Sequence, residues 1–160
     1  MTIKVGDTLP EATFMVPNAD GPAPKTTAEI FAGKKVALFA VPGAYTPTCS
    51  ARHLPSYKDK AADLAAKGVD TIACLSVNDA FVLGAWAKDQ GVADDIVMLA
   101  DGSGVFAKAI GLEMDASKFG MGMRSQRFSL VADNGVVTHL FVEAPAEYKV
   151  SGAEYMLEHM

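Results

Sequence analysis

The stretch Val36-Ala37-Leu38-Phe39-Ala40-Val41-Pro42-Gly43-Ala44-Tyr45-Thr46-Pro47-Thr48-Cys49 decides how the chain is read. Its first six residues are apolar without a break, the length of a buried strand and short for a helix. Pro42 and Gly43 end that strand, because proline brings no ladder donor and glycine accepts sharp bends. Thr46-Pro47 then has the form of a helix start, with threonine as N-cap and proline at the first helical position. Cys49 becomes the third residue of that helix, where a capping box would place a carboxylate facing unpaired backbone N–H groups. A thiol there is favoured as thiolate by the same donors and by the positive end of the helix. The competing reading is a buried, inert free cysteine. A position just past a strand and a cap, where side chains reach the surface, argues for the reactive thiol.

Working outward, the N-terminal residues 1–27 are turn-rich (Pro10, Pro17, Gly21, Pro22, Pro24), and Thr13–Val16 reads as one arm of a short hairpin. Thr26-x-x-Glu29 resembles a capping box and predicts one helical turn to Ala32, stopped at Gly33. After Cys49, Leu54, Tyr57, Ala61 and Leu64 share a helical face that ends at Gly68. Pro55 removes the bond to the Ala51 carbonyl, which predicts a kink and sets the first two turns apart. Val69–Val77 is a second strand, apolar on both faces and therefore central. Asn78 or Asp79 caps a helix with Phe81, Val82, Ala85 and Trp86 inward, ending at Gly91.

Ile96–Leu99 reads as a short strand. Asp101-Gly102-Ser103-Gly104 is a turn and cap before a helix with Val105, Phe106, Ala109 and Ile110; it lacks the lysine and spacing of a phosphate loop. Residues 111–126, with Gly120-Met121-Gly122-Met123, read as loop. Phe128–Ala132 and Val136–Val142 flank Asn134-Gly135, a type I′ hairpin signal. Ser151-x-x-Glu154 predicts a capped C-terminal helix through Leu157. Strands alternating with helices, closed by a hairpin and a helix, give an α/β chain with a mixed sheet covered on both faces. Other three-layer α/β folds fit that pattern equally.

A length of 160 residues fits one domain spanning 1–160, and half the residues are apolar. The net charge of −5 argues against nucleic acid, which calls for a basic footprint. No apolar run is long enough for a membrane span. The N-terminus has no signal-peptide core, so a cytoplasmic location is expected. Two cysteines, Cys49 and Cys74, fit a reducing compartment better than a disulfide scaffold. His53, His139 and His159 are scattered without metal-ligand spacing, so neither metal nor cofactor is expected.

Pro42-x-x-x-Thr46-x-x-Cys49 resembles the active-site signature of the peroxiredoxins. Ala73-Cys74-Leu75-Ser76-Val77-Asn78-Asp79, the Trp86-bearing helix after it and Arg127-Phe128-Ser129 narrow the resemblance to the type II, or type-five, group, over residues 3–158. The resemblance implies a thioredoxin-like three-layer fold. It also implies a thiol-dependent peroxidase acting on hydrogen peroxide and small organic hydroperoxides in antioxidant defence. In such an enzyme a thiolate attacks one peroxide oxygen, displaces water or an alcohol and becomes a sulfenic acid.

Holding a free thiol as thiolate at neutral pH takes roughly 3–4 kcal/mol of preferential stabilisation, and a helix terminus gives about 1–2. A second charge is needed, and the resemblance assigns it to Arg127, whose guanidinium can donate to sulfur and peroxide together; the plain alternative is a surface cation. Arg124 is nearby in sequence and reads as a surface charge or subunit contact. Thr46 is a second donor to the reacting atoms beside its capping role, with the Cys49 N–H a third. Pro42 resembles the family's shielding proline and is equally a strand terminator. Tyr45 and His53 are read as pocket lining.

Two other functions compete. A thioredoxin-like disulfide reductase would carry its attacking thiol at the first position of Cys-x-x-Cys, and here that position is Thr46. A redox sensor or holdase would use the same thiol without turnover. Some type II relatives carry a resolving cysteine after the last strand, and this chain has none beyond Cys74. A disulfide needs Cα atoms within about 7 Å and facing side chains. Cys74, in a buried strand, is therefore not expected to resolve Cys49, although some plant-type relatives have been assigned such a role for it. The expected cycle uses an external thiol: glutathione with glutaredoxin first, thioredoxin as the alternative. A homodimer is expected through the Phe119–Met123 loop, as type II relatives often pair near the active site.

Overall fold

The computed structural model describes residues 2–92 and 94–160; Met1, the first residue of the turn-rich stretch, lies outside them. Nine strands are described: β1 (Thr13–Val16), β2 (Ala23–Thr26), β3 (Lys35–Ala40), β4 (Thr71–Ser76), β5 (Val97–Ala100), β6 (Glu113–Asp115), β7 (Met123–Ser125), β8 (Phe128–Asp133) and β9 (Val136–Val142). The helices are α1 (Thr27–Phe31), α2 (Leu54–Asp59), α3 (Ala61–Ala66), α4 (Ala80–Gln90), α5 (Val105–Ala109) and α6 (Ala153–His159). A π turn, Cys49–His53, precedes α2.

Seven strands form one sheet in the order β2-β1-β5-β4-β3-β8-β9. β3, β4 and β5 run parallel, while β1 and β8 pair antiparallel at either side of them. Side chains alternate between sheet faces, so the unbroken apolar run of β3 feeds two cores. Ala37 and Phe39 lie with Leu54, Tyr57, Leu64, Leu83, Trp86 and Met156 on one face. Val36, Leu38 and Ala40 lie with Ile30, Phe31, Phe106 and Ile110 on the other. This is the expected thioredoxin-like mixed α/β fold with helices on both faces and a short N-terminal hairpin, β1–β2.

Local signals explain most boundaries. Thr26 and Glu29 form the reciprocal capping box at α1. Asp79 is the residue that caps α4, its carboxylate accepting the Val82 N–H at 2.8 Å, and Gly91 ends that helix at φ +67°. The Asp101 carboxylate accepts the N–H groups of Phe106 and Ala107, so the glycine-rich turn is the cap it was read to be. Asn134 and Gly135 both take positive φ in the β8–β9 turn, as type I′ geometry requires.

Four expectations need correction. Residues 111–126 are not plain loop, since β6 and β7 pair as a two-stranded antiparallel ribbon around the turn Ser117–Phe119. Phe81 points to solvent with 75% of its surface exposed, and Ala85 is exposed too. The inner face of α4 is instead Ala80, Leu83, Trp86 and Ala87, spaced i, i+3, i+6 and i+7 along one side of the helix. Ser151 does not cap α6; its hydroxyl is bound to Glu143, and Gly152 takes the N-cap position. Pro55 produces more than a kink. The Leu54 N–H bonds to the Cys49 carbonyl five residues back, so the chain widens into a π turn just before the proline that has no N–H to give.

Candidate active site

The β3–β8 register brings the site together. Ala40 pairs with Phe128, so Arg127, one residue earlier, arrives level with the chain leaving β3 at Val41. Sequence separation hides this neighbourhood, which antiparallel pairing creates.

The segment after β3 is tied down at several points. Ala44 donates its N–H to Asn78 Oδ1 at 3.0 Å. Tyr45, at φ +64°, donates its hydroxyl to Asp89 at 2.6 Å, so it is not simply pocket lining. Gly43 leaves room for a close approach: a Cβ there would stand 2.9 Å from Arg124 Nη1, which would have to move aside. Arg124 uses that space to donate to the Pro42 carbonyl at 3.4 Å while its Nε donates to the Met121 carbonyl at 2.9 Å. It thereby braces the loop from β7, a contact that the reading as surface charge or subunit contact does not contain.

Helical structure begins at Pro47, and the Thr46 carbonyl accepts the Ser50 N–H at 3.0 Å, the expected start. The Thr46 hydroxyl does not cap it. Its Oγ1 lies 2.7 Å from both the Cys49 sulfur and the Gly43 carbonyl. A hydroxyl has one proton and two lone pairs. With the thiol protonated, S–H donates to Oγ1 and Oγ1–H to the carbonyl. With a thiolate, Oγ1–H turns to the sulfur.

Cys49 is completely buried, contrary to the expectation that its side chain reaches the surface. Phe39, Leu54 and Tyr57 pack in the same core, because the π turn rotates the cysteine toward the sheet. Beside it opens a cleft of about 510 Å³ lined by Pro42, Thr48, Arg52, Phe119, Arg127 and Tyr148, among others. Pro42, half-buried, stands in that wall.

Arg127 Nη2 donates to the Cys49 sulfur at 3.1 Å. Its Nη1 lies 2.9 Å from His53 Nδ1. His53 Nε2 is 3.0 Å from the Ser151 carbonyl, an oxygen that can only accept, so Nε2 carries the proton and Nδ1 accepts from Arg127. Burial, and then the adjacent Arg127 charge, push the His53 pKa down to about 3, so the ring is neutral. Sequence reading placed His53 as lining and missed this contact. The available signal was its spacing of four from Cys49, which puts the two on one side of a helix. Cys74 lies in β4, fully buried, and burial pushes its thiol well above the ordinary range.

Three of the four sequence-derived site residues, Cys49, Thr46 and Arg127, thus meet at one sulfur, with Pro42 in the adjoining wall. Known proteins resemble this chain in sequence and in fold. A family model described as Redoxin matches residues 4–157. The chain is 51% identical to the chloroplastic peroxiredoxin-2E-2 of Oryza sativa subsp. japonica, over 98% of this chain and 72% of that protein. It resembles the crystal structure of reduced Prx3 from Vibrio vulnificus in complex with hydrogen peroxide, at TM-score 0.94 and 55% identity with 99% of both chains covered. The 1-Cys peroxiredoxin antioxidant protein of Plasmodium falciparum superposes at TM-score 0.91 and 29% identity, covering 98% of each chain.

Fold and relatives together define a thiol-dependent peroxidase with an antioxidant role. The chain belongs to the redoxin family, and within it to the type II peroxiredoxins.

Proposed function

We propose that Cys49 is the attacking thiol and that one external thiol system completes each turnover. The observation that carries this reading is the pair of donors at one sulfur, Thr46 Oγ1 at 2.7 Å and Arg127 Nη2 at 3.1 Å. The Cys49 thiolate attacks one peroxide oxygen, the O–O bond breaks, and the other oxygen leaves with the bonding pair. That oxygen takes a proton and departs as water or alcohol, and Cys49 is left as sulfenic acid. Arg127, Thr46 and the first-turn N–H of Cys49 are donors directed to where negative charge moves, which is where such groups have their largest effect. Pro42 keeps bulk water from the sulfur, strengthening those interactions.

Resolution runs through glutathione with glutaredoxin, with thioredoxin as the alternative donor. Supporting a single-thiol cycle, Cys74 is held inside the central strand with its thiol protonated by burial, a poor nucleophile. The single domain acts in the cytoplasm, and pairs as a homodimer through the Phe119–Met123 segment. Phe119, in the turn between β6 and β7 and in the cleft wall, exposes 80% of its surface, and Met123 at the start of β7 exposes 48%. Light scattering at micromolar concentration checks the dimer in both redox states, and a monomer mass in both contradicts it.

The decisive experiment follows peroxide consumption with glutathione and glutaredoxin for the wild type, Cys49→Ser and Cys74→Ser. Cys49→Ser is expected to lose catalysis and Cys74→Ser to keep most of it. Catalytic consumption by Cys49→Ser sinks the assignment of the thiol. A Cys49–Cys74 disulfide in peroxide-treated protein, together with lost turnover in Cys74→Ser, replaces the external cycle by an internal one.

A further inference from the structure

Glu143 follows β9 and is almost fully buried, and its carboxylate's hydrogen bonds all go to residues 149–151. It accepts the N–H groups of Lys149, Val150 and Ser151, each at 2.8 Å, and the Ser151 hydroxyl at 2.6 Å. Its own N–H donates to the Arg127 carbonyl at 3.0 Å. Burial pushes this carboxyl up, but the Ser151 hydroxyl and the three N–H groups outweigh it and hold the pKa below the ordinary value. One anion therefore gathers the strap 149–151 and, through its backbone, the residue that carries the guanidinium.

The strap matters because of where its last carbonyl points. Ser151 C=O accepts from His53 Nε2 at 3.0 Å and from the Tyr57 hydroxyl at 2.8 Å. Those two donors come from the π turn and α2, so the carbonyl sets the orientation of the imidazole. Phe39, Tyr57 and Tyr148 pack around the ring and leave its Nδ1 facing Arg127. A guanidinium tethered through one nitrogen presents the other in a fixed direction, here to the Cys49 sulfur.

We propose that Glu143 is a positioning residue for the peroxide reaction, acting through the Ser151 carbonyl and the His53 Nδ1 to aim Arg127 at Cys49. The inference rests on the assignment of Cys49 and Arg127 above. Without the carboxylate the strap's N–H groups lose their common acceptor, the Ser151 carbonyl shifts, and the imidazole is released to either tautomer. Where Nδ1 carries the proton it repels the Arg127 N–H instead of accepting it. Small losses of aim at a reacting centre have large kinetic effects.

The test uses the full chain. The second-order rate of Cys49 oxidation by hydrogen peroxide is measured for Glu143→Gln, His53→Leu and the double variant, and ¹⁵N NMR of the His53 ring reports its tautomer. Glu143→Gln is expected to slow oxidation about tenfold and to take His53 out of the single Nε2–H form. The double variant is expected to be no slower than His53→Leu alone, since both act on one path. Where Glu143→Gln does not fold, Glu143→Asp, which keeps the charge but withdraws it by one methylene, takes its place with the same expected outcomes. An unchanged rate and tautomer, or losses that multiply in the double variant, overturn the proposal. Cys49→Ser and Arg127→Gln separate this from the parent reading: if those two fail to slow oxidation, the assignment of the site falls, whereas their slowing with a fast Glu143→Gln removes only the positioning role.

Discussion

The indole N–H of Trp86 donates to the hydroxyl of Ser50 at 3.0 Å. This bond joins the inner face of α4 to the residue next to Cys49, and Trp86 is completely buried. Replacing Ser50 by alanine leaves the indole N–H without its partner in the core, a cost of about 1–3 kcal/mol. The expected outcome is that loss in chemical denaturation of Ser50→Ala, and a smaller additional loss when Trp86→Phe is added. As the chain has one tryptophan, its fluorescence should also report Cys49 oxidation, and a signal indifferent to peroxide contradicts the coupling.

Thr46 allows a helix cap to be distinguished from a catalytic donor. A cap lost to valine lowers stability by about 1 kcal/mol and leaves chemistry alone. The hydroxyl is 2.7 Å from sulfur, so Thr46→Val is expected to slow peroxide attack by about 10²-fold, as loss of one aimed donor does. Thr46→Ser should retain most of the rate. Equal rates in valine and serine variants refute a role at the sulfur.

Arg127 Nη2 donates to the Cys49 sulfur at 3.1 Å, and the proposed role of that donor extends to the departing oxygen. Arg127→Gln is expected to reduce the second-order rate with peroxide by about 10²–10³-fold. The deficit should persist above about pH 9.5, where a free thiol is already ionised. Return to the wild-type rate there reduces Arg127 to a thiolate stabiliser.

His53 makes stability depend on acid. Unfolded, its ring protonates below its ordinary 6.5; folded, burial and then Arg127 keep it neutral down to about 3. Between those values the unfolded chain binds the extra proton, so stability falls as pH falls across that window. His53→Gln, which does not titrate, should show a shallower decline of melting temperature from pH 6.5 toward 4. Parallel profiles for wild type and variant contradict the assignment of a neutral buried imidazole.

Strand β3, the Thr26 cap, a cap at Asn78 or Asp79, the Asn134-Gly135 turn and the thiol at a helix start are legible because each is a short-range signal. Period, cap chemistry and positive φ are properties of a few adjacent residues. The pairing of β6 with β7 was not legible, since three-residue strands among glycines and methionines have too little alternation to stand out. Phe81 misled because an apolar residue carries no record of which way the helix is turned.

By itself the sequence determined that a cysteine begins a helix behind a buried strand, and resemblance added Arg127 as its partner. Only the tertiary structure decided how they meet. The antiparallel register of β8 on β3 delivers Arg127 to the site, the π turn before Pro55 buries Cys49, and Ser151, from almost the end of the chain, fixes the imidazole between them. The reason is physical: local propensities act over a few residues, whereas the direction of a hydrogen bond between segments a hundred residues apart is set by how the layers pack.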